Sequence, residues 1–244
     1  MKDALITVEG LSVGWDDQLL LADASFEVER GDIFVILGGS GCGKSTLLRH
    51  LIGLETPRAG RIRIAGVGAP QLSGTVPEYG VMFQSGALFS SLTVGENVGF
   101  ALQEWTELPA LAISAIVRAK LALVGLEGAE DKLPSELSGG MKKRAAIARA
   151  MAFEPSLIFL DEPSAGLDPV SAAELDDLIG VLNRALGLTV VMVTHELPSI
   201  FKVGKNCIML DKESKSIIAR GNPRELKNSS QDPRVRQFFL REAR

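Results

Sequence analysis

A short apolar run followed directly by a glycine-rich loop constrains this chain more than any other feature. Residues 33–37 read Ile-Phe-Val-Ile-Leu between two glycines, a pattern typical of a strand buried on both faces. The next residues, 38–46, read Gly-Gly-Ser-Gly-Cys-Gly-Lys-Ser-Thr and match G-x-x-x-x-G-K-[ST]. A helix is predicted from Lys44 to Ile52. A strand, a glycine-rich turn and a helix in this order predict a phosphate-binding loop (P-loop) in an α/β fold.

The chemistry of this loop suits a nucleotide. Glycines allow successive backbone N–H groups to point at one anion, and the N-terminus of the following helix adds a favourable dipole. We expect Lys44 to reach the β- and γ-phosphates and Ser45 to ligate Mg²⁺. The alternative is a chance glycine-rich turn, and the complete consensus after an apolar strand argues against it. The predicted nucleotide contacts are Gly38, Gly39, Ser40, Gly41, Cys42, Gly43, Lys44, Ser45 and Thr46.

A second apolar run ends in two carboxylates. Residues 157–160 read Leu-Ile-Phe-Leu, and Asp161 and Glu162 follow directly. Open α/β sheets bind ligands at the carboxyl ends of their strands, so this pair is expected beside the P-loop. We predict that Asp161 holds Mg²⁺ and that Glu162 polarises the attacking water. The alternative is a surface turn, but two adjacent carboxylates on an apolar strand are costly unless a metal and hydrogen bonds compensate.

Two other strand ends each supply a single polar side chain. His195 follows the apolar run 189–193, and Gln84 follows Val-Met-Phe at 81–83. Taken alone, a histidine is more often structural than chemical, and a glutamine at a strand end is weak evidence. Their shared position beside the other strand ends favours a functional role for both.

Composition excludes several classes of protein. The net charge of −4 leaves no basic footprint for nucleic acid. Only Cys42 and Cys207 are present, which rules out a disulfide framework and indicates a reducing compartment. The N-terminus lacks the apolar core of a signal peptide, and the most apolar later window, 186–193, is too short to cross a bilayer. We therefore expect a chain that does not span a membrane.

The pattern along the chain predicts an α/β core interrupted by helices. Strand patterns at 5–8 and 24–28 flank a turn at Asp16 and Asp17, and strands are also predicted at 207–210 and 216–219. Between them, helical spacing at 94–102, 110–124 and 139–153 predicts an inserted helical subdomain. We predict one domain over residues 1–244. Its parts are a core with a β subdomain at 1–84 and 156–230, the helical subdomain at 85–155, and a tail helix at 231–244.

The order of the motifs resembles one family. From Leu5 to about Lys227 the chain is similar to an ATP-binding-cassette (ABC) ATPase subunit. The motifs that carry the resemblance are the P-loop, Gln84, Leu-Ser-Gly-Gly at 137–140, Asp161 with Glu162, Ser-Ala-Gly-Leu-Asp at 164–168, and His195.

The resemblance implies a P-loop NTPase (RecA-like) core with an N-terminal antiparallel β subdomain and an inserted α-helical subdomain. It also implies a homodimer, in which Ser138, Gly139 and Gly140 contact the ATP held by the partner's P-loop. Asp168 would couple the two sites across the dimer. Trp15 stands where the family places an aromatic against adenine, and a Trp packed under the N-terminal strands is the alternative.

The resemblance assigns the catalytic residues as well, with ATP and Mg²⁺ as cofactors. Glu162 would be the general base and His195 the γ-phosphate sensor. Lys44 would stabilise the transferred phosphate, and Gln84 would link Mg²⁺ and the attacking water to the helical subdomain.

Four segments resemble more narrowly the ATPase of MCE-type (Mla-like) phospholipid transport systems of Gram-negative bacteria. The resemblance implies peripheral attachment to the cytoplasmic face of the inner membrane. The implied partners are a transmembrane MlaE-like permease, a small MlaB-like STAS-domain protein and an MlaD-like MCE-domain protein, with phospholipid moved and no nucleic acid bound. The segments are Phe-Gln-Ser-Gly-Ala-Leu-Phe at 83–89, Thr-Glu-Leu-Pro at 106–109, Pro-Ser-Glu-Leu-Ser-Gly-Gly-Met at 134–141 and Asp-Pro-Arg-Val-Arg-Gln-Phe at 232–238.

Two other functions stay open, namely the ATPase of an importer of a small polar solute and a soluble mechanochemical ABC factor. Leu88 and Phe89 are expected to anchor a coupling helix of the permease, and core packing of the helical subdomain is the alternative. Some relatives wrap a long tail over the neighbouring protomer. This chain stops six residues after Phe238, so its aromatic tail is expected to dock locally.

Overall fold

The computed structural model describes residues 3–15, 18–71 and 78–240. The side chain of Trp15 and the predicted turn at Asp16 and Asp17 lie outside the described part. The strands are β1 Ala4–Trp15, β2 Gln18–Glu29, β3 Ile33–Gly38, β4 Ala59–Ile64, β5 Gly80–Met82, β6 Leu157–Asp161, β7 Thr189–Val193, β8 Asn206–Asp211 and β9 Ser216–Gly221. The α-helices are α1 Lys44–Leu51, α2 Val94–Trp105, α3 Ala110–Leu123, α4 Gly139–Ala150, α5 Pro169–Leu186, α6 Leu197–Val203, α7 Pro223–Ser229 and α8 Pro233–Leu240, and a 3₁₀ turn covers Pro134–Glu136.

The larger sheet has the strand order β5-β6-β7-β3-β8-β9. Its first five strands run parallel, and β9 pairs antiparallel with β8. Every residue of β3 and of β7 is buried, because helices cover one face of the sheet and α1 with strands β1 and β2 covers the other. The carboxyl ends of β5, β6, β7 and β3 therefore open side by side at one edge of the sheet.

The smaller sheet is antiparallel, with the order β2-β1-β4, and it closes over α1. Along β2, side chains that face the core alternate with more exposed ones, as expected for a sheet with one side in water. The rings of Phe26 and Phe34 stack with centroids 5.6 Å apart and join β2 to β3. One apolar core thus extends from the small sheet to the large one.

Helices α2, α3 and α4 pack against one another beside the large sheet. Thr93 and Glu96 form a capping box at the start of α2. A Cβ at Gly99 would lie 3.3 Å from the side chain of Ile113 and 3.2 Å from that of Val117, so glycine lets α2 approach α3 closely.

The predicted fold class is confirmed, with both the antiparallel sheet and the P-loop core present. The helix predicted at 139–153 ends earlier, at Ala150, because the chain turns before the next strand. Strand β4 and helices α5 and α6 lie in segments for which we predicted no element. No helix within the described ranges is long and apolar enough to cross a lipid bilayer.

Candidate active site

The glycine-rich loop connects β3 to α1 through backbone angles that only glycine adopts easily. Gly38 has φ +144°, and a Cβ there would lie 2.5 Å from both Cys42 Sγ and the Leu210 carbonyl oxygen. Gly43 has φ +95° at the N-terminus of α1. Lys44 Nζ donates hydrogen bonds of 3.0 Å to the carbonyl oxygens of Gly38 and Gly39, which holds the ammonium over the loop.

Cys42 differs from its loop neighbours. Its side chain is buried in the core under β3, and burial raises the pKa of the thiol. The thiol therefore does not reach the cavity in front of the loop. Any contact of Cys42 with a nucleotide is left to its backbone.

Ser45 and Asp161 meet at the mouth of the loop. Ser45 Oγ donates a hydrogen bond of 3.3 Å to Asp161 Oδ1. Burial raises the pKa of Asp161, and the bond from Ser45 opposes part of that rise. A hydroxyl and a carboxylate are hard oxygen donors of the kind Mg²⁺ prefers, so these residues fit that ion. Within the described residues no three His, Cys, Asp or Glu side chains form a metal cluster.

Glu162 and His195 form the second polar pair. His195 Nδ1 lies 2.8 Å from Glu162 Oε1, which fixes one carboxylate oxygen. Glu162 is 8% exposed, and its Oε2 has no hydrogen-bond partner within the described part of the chain. A buried carboxylate with one oxygen held and the other free is arranged to accept a proton from a water molecule.

Ser45, Glu162 and His195 line one cavity of about 660 Å³ with the glycine-rich loop, whereas Asp161 lines an adjoining cavity that Ser45 also borders. The sequence predicted most of the lining of the first cavity, but Leu20, Leu197 and Phe238 were not predicted there. Phe238 lies in the singled-out segment 232–238, so a signal existed, whereas Leu20 and Leu197 carried none. The predicted residues brought together are Gly38, Gly39, Ser40, Gly41, Gly43, Lys44, Ser45, Thr46, Gln84, Glu162 and His195.

Sequence reasoning also missed two cations of α4 that hold the segment after β5. Lys143 Nζ donates hydrogen bonds to the carbonyl oxygens of Gln84 and Glu162. Arg149 donates to the carbonyl oxygens of Gly86 at 2.8 Å and Ala87 at 2.6 Å. Neither residue type nor spacing distinguishes these side chains from ordinary basic residues on a helix.

The Leu-Ser-Gly-Gly segment lies outside this cavity, at the start of α4. Ser138 caps the helix, with its Oγ accepting a hydrogen bond of 3.3 Å from Met141 N. A Cβ at Gly139 would meet the side chain of Leu167 at 3.3 Å, so the segment packs against residues 164–168. Asp168 caps α5 by accepting hydrogen bonds of 3.0 Å from the N–H groups of Val170 and Ser171.

The site therefore combines a P-loop, an oxygen pair for a metal and a held carboxylate at one sheet edge. A model of the ABC transporter family matches residues 21–165, which is more than half of the chain. The chain belongs to the ABC transporter family. It is an ATP-binding ATPase subunit of that family.

Individual relatives cover nearly the whole chain. The Escherichia coli (strain K12) intermembrane phospholipid transport system ATP-binding protein MlaF is 42% identical over 96% of this chain and 88% of its own length. A probable ribonucleotide transport ATP-binding protein, mkl, of Mycobacterium tuberculosis (strain H37Rv) is also 42% identical, over 96% of this chain and 66% of its own. The structure resembles the dimeric, post-hydrolysis ATP-binding cassette MJ0796 bound to ADP and Pi, with 26% identity, TM-score 0.78 and coverage of 89% and 98%.

Proposed function

We propose that this ATPase subunit drives the movement of phospholipids between the inner membrane and periplasmic carriers, and so maintains the lipid asymmetry of the outer membrane. The observation that carries the proposal is the similarity to MlaF, which extends over almost the full length of both chains. The segments at 83–89 and 232–238, which resemble those of Mla-like ATPases, support it as well.

The hydrolytic chemistry follows from the cavity. Lys44 and the loop N–H groups would hold the β- and γ-phosphates, and Mg²⁺ would sit between Ser45 and Asp161. When bound, Mg²⁺ would neutralise charge that develops on the phosphate. Glu162 Oε2, free of other bonds within the described residues, would take the proton of the attacking water, while His195 holds Oε1.

Gln84 also lines the cavity and would connect its contents to the helical subdomain that we propose for residues 85–155. Trp15 remains our proposed adenine-stacking residue on the strength of its position in the sequence.

A single chain does not complete the site. The signature residues Ser138, Gly139 and Gly140 lie outside the cavity that contains Lys44. The cassette MJ0796 is dimeric with ADP and Pi bound. We therefore propose a head-to-tail homodimer with two ATP–Mg²⁺ at the interface, in which Asp168 couples the two ATP sites across the dimer.

The proposed permease surface lies next to Gln84. Leu88 packs against the core, whereas Phe89 is 48% exposed and its ring lies 5.2 Å from that of the exposed Phe100. Core packing thus explains Leu88, and we propose that the exposed pair of Phe89 and Phe100 anchors an MlaE-like permease. Peripheral attachment to the cytoplasmic face of the inner membrane follows, with an MlaB-like STAS-domain protein and an MlaD-like MCE-domain protein as further partners.

Purification of the tagged chain from its native membranes, with mass spectrometry of bound proteins and lipids, tests which substrate is transported and with which partners. We expect a permease, an MCE-domain protein and phospholipid. The name of the second relative favours another cargo, a ribonucleotide, and co-purification of a solute receptor without lipid would establish that class instead. Association with ribosomes or DNA would indicate a soluble factor.

Glu162→Gln tests the chemistry independently of the load. The amide keeps the size of the side chain but accepts a proton poorly, so ATP binding should persist while turnover is lost and an ATP-bound dimer accumulates on gel filtration. Hydrolysis at the wild-type rate would remove Glu162 as the base.

A further inference from the structure

Helix α4 carries a buried lysine that the proposed chemistry does not use. Lys143 is 7% exposed. Its Nζ donates one hydrogen bond to the Gln84 carbonyl oxygen and another, of 3.4 Å, to the Glu162 carbonyl oxygen. A single ammonium thus joins the backbones of two residues that line the nucleotide cavity from different strands.

The backbone at Glu162 needs such support. Glu162 has φ +46°, a left-handed conformation that a residue with a Cβ adopts at a cost and keeps only when its neighbours impose it. Its N–H donates a bond of 2.8 Å to the Val193 carbonyl oxygen, which fixes the residue from one side. Lys143 fixes its carbonyl from the other side. The direction of the Glu162 carboxylate follows from this doubly held backbone.

The position of Gln84 depends on the same helix. Gln84 follows the three-residue strand β5, and its side chain is exposed. Beyond it, Arg149 of α4 holds the carbonyls of Gly86 and Ala87. Lys143 and Arg149 together make α4 the element to which the segment 84–87 is attached.

Charge favours the ammonium at this place. Burial lowers the pKa of Lys143, and the nearby carboxylates of Asp161 and Glu162 oppose part of that shift. An apolar side chain of the same length would leave the Gln84 and Glu162 carbonyl oxygens without this donor and would not balance the two carboxylates.

We infer that Lys143 is a positioning residue for ATP hydrolysis, holding Gln84 and Glu162 in the geometry that the attacking water requires. The inference rests on the roles proposed above for those two residues and not on the lipid cargo. Lys143 also lies five residues after Ser138, on the same rigid helix.

Lys143→Met in the full chain tests the inference, because methionine keeps most of the length and loses the ammonium. We expect kcat for ATP to fall by about 10- to 100-fold, the loss typical of removing a charged hydrogen bond, with KM within about twofold of wild type. Lys143→Arg retains a charged donor and should recover most of kcat. Lys120→Met is the matched control, since Lys120 is also buried, at 8% exposure, but pairs with the Glu154 carboxylate at 2.7 Å, away from the cavity.

The outcomes separate positioning from a general loss of structure. Binding of a fluorescent ATP analogue and the thermal midpoint are measured for every variant. Wild-type kcat in Lys143→Met, or an equal loss in Lys120→Met, would overturn the inference, as would a loss accounted for by weaker ATP binding alone. Glu162→Gln measured beside them separates the two proposals. An active Glu162→Gln contradicts the base assignment, whereas an inactive Glu162→Gln beside a fully active Lys143→Met contradicts the role of Lys143 alone.

Discussion

One side chain, that of Asn97, holds residues 89–93 just before α2, and its removal allows a sharp prediction. Asn97 is fully buried. Its Nδ2 donates bonds of 3.0, 3.1 and 2.9 Å to the carbonyl oxygens of Phe89, Leu92 and Thr93, and its Oδ1 accepts a bond of 2.7 Å from Phe89 N. Asn97→Ala removes all four bonds at once.

The expected loss of folding free energy depends on which backbone groups keep another hydrogen-bond partner in Asn97→Ala. The carbonyl of Phe89 also accepts from Leu92 N, and that of Thr93 also accepts from the N–H of residue 97. Phe89 N and the Leu92 carbonyl have no second backbone partner within the described residues. Two unpaired backbone groups at about 1–3 kcal/mol each, with partial relief by entering water, predict a loss of about 2–4 kcal/mol of folding free energy.

Urea unfolding followed by circular dichroism measures this loss. Gln103→Ala, an exposed change on the same helix, is the control and should stay within about 0.5 kcal/mol of wild type. Asn97→Asp keeps the acceptor but loses both N–H donors, which serve three carbonyl oxygens, so it should destabilise at least as much as the alanine variant. A loss below about 1 kcal/mol for Asn97→Ala would refute this account of the segment. ATP affinity should be unchanged, because Asn97 lies outside the nucleotide cavity.

Three further predictions concern buried groups. Burial raises the pKa of Asp176 above the value of 3.8 expected in the unfolded chain, so its contribution to stability is lost as pH rises through the folded pKa. The stability of Asp176→Asn relative to wild type, from urea midpoints, should therefore be higher at about pH 7.5 than at about pH 4. An equal difference at both pH values would contradict this. Cys42 is buried and its thiol pKa is raised, so iodoacetamide should modify it at least about tenfold more slowly than glutathione at pH 8 by mass spectrometry, and equal rates would show that the loop opens readily. Phe239 is buried and packs on Phe201 with centroids 5.6 Å apart, so Phe239→Ala should cost about 3–4 kcal/mol in urea, against little change for Leu240→Ala, which is largely exposed; equal effects would mean that α8 does not dock through Phe239.

Sequence predicted which residues meet at the carboxyl ends of the strands, because phosphate and metal chemistry restrict residue types at fixed spacing. The P-loop and the strands ending at Asp161 and Val193 combine such motifs with continuous apolar runs, and the structure places them together. Buried parallel strands are also the easiest elements to recognise, since both faces must be apolar.

The parts that sequence missed depend on tertiary contact. Strand β4 reads Ala-Gly-Arg-Ile-Arg-Ile and is a strand only because β1 pairs with it. Lys143 resembles its neighbour Lys142 until the fold buries one of them beside the cavity. Phe238 reaches the cavity because Val235 and Phe239 dock α8 on the core, which brings it beside the P-loop from the other end of the sequence.

The order of strands in the large sheet has a mechanical consequence. Strands β6, β7 and β3 each have a paired neighbour on both sides, so Glu162, His195 and the P-loop are anchored in the interior of the sheet. Strand β5 is the outermost of the described strands on that side, is three residues long, and leads into Gln84. A displacement at β5 breaks one ladder of hydrogen bonds instead of two. Gln84 is therefore less firmly anchored by the sheet than Glu162, His195 and the P-loop, and movement of β5 displaces it more easily than it displaces them.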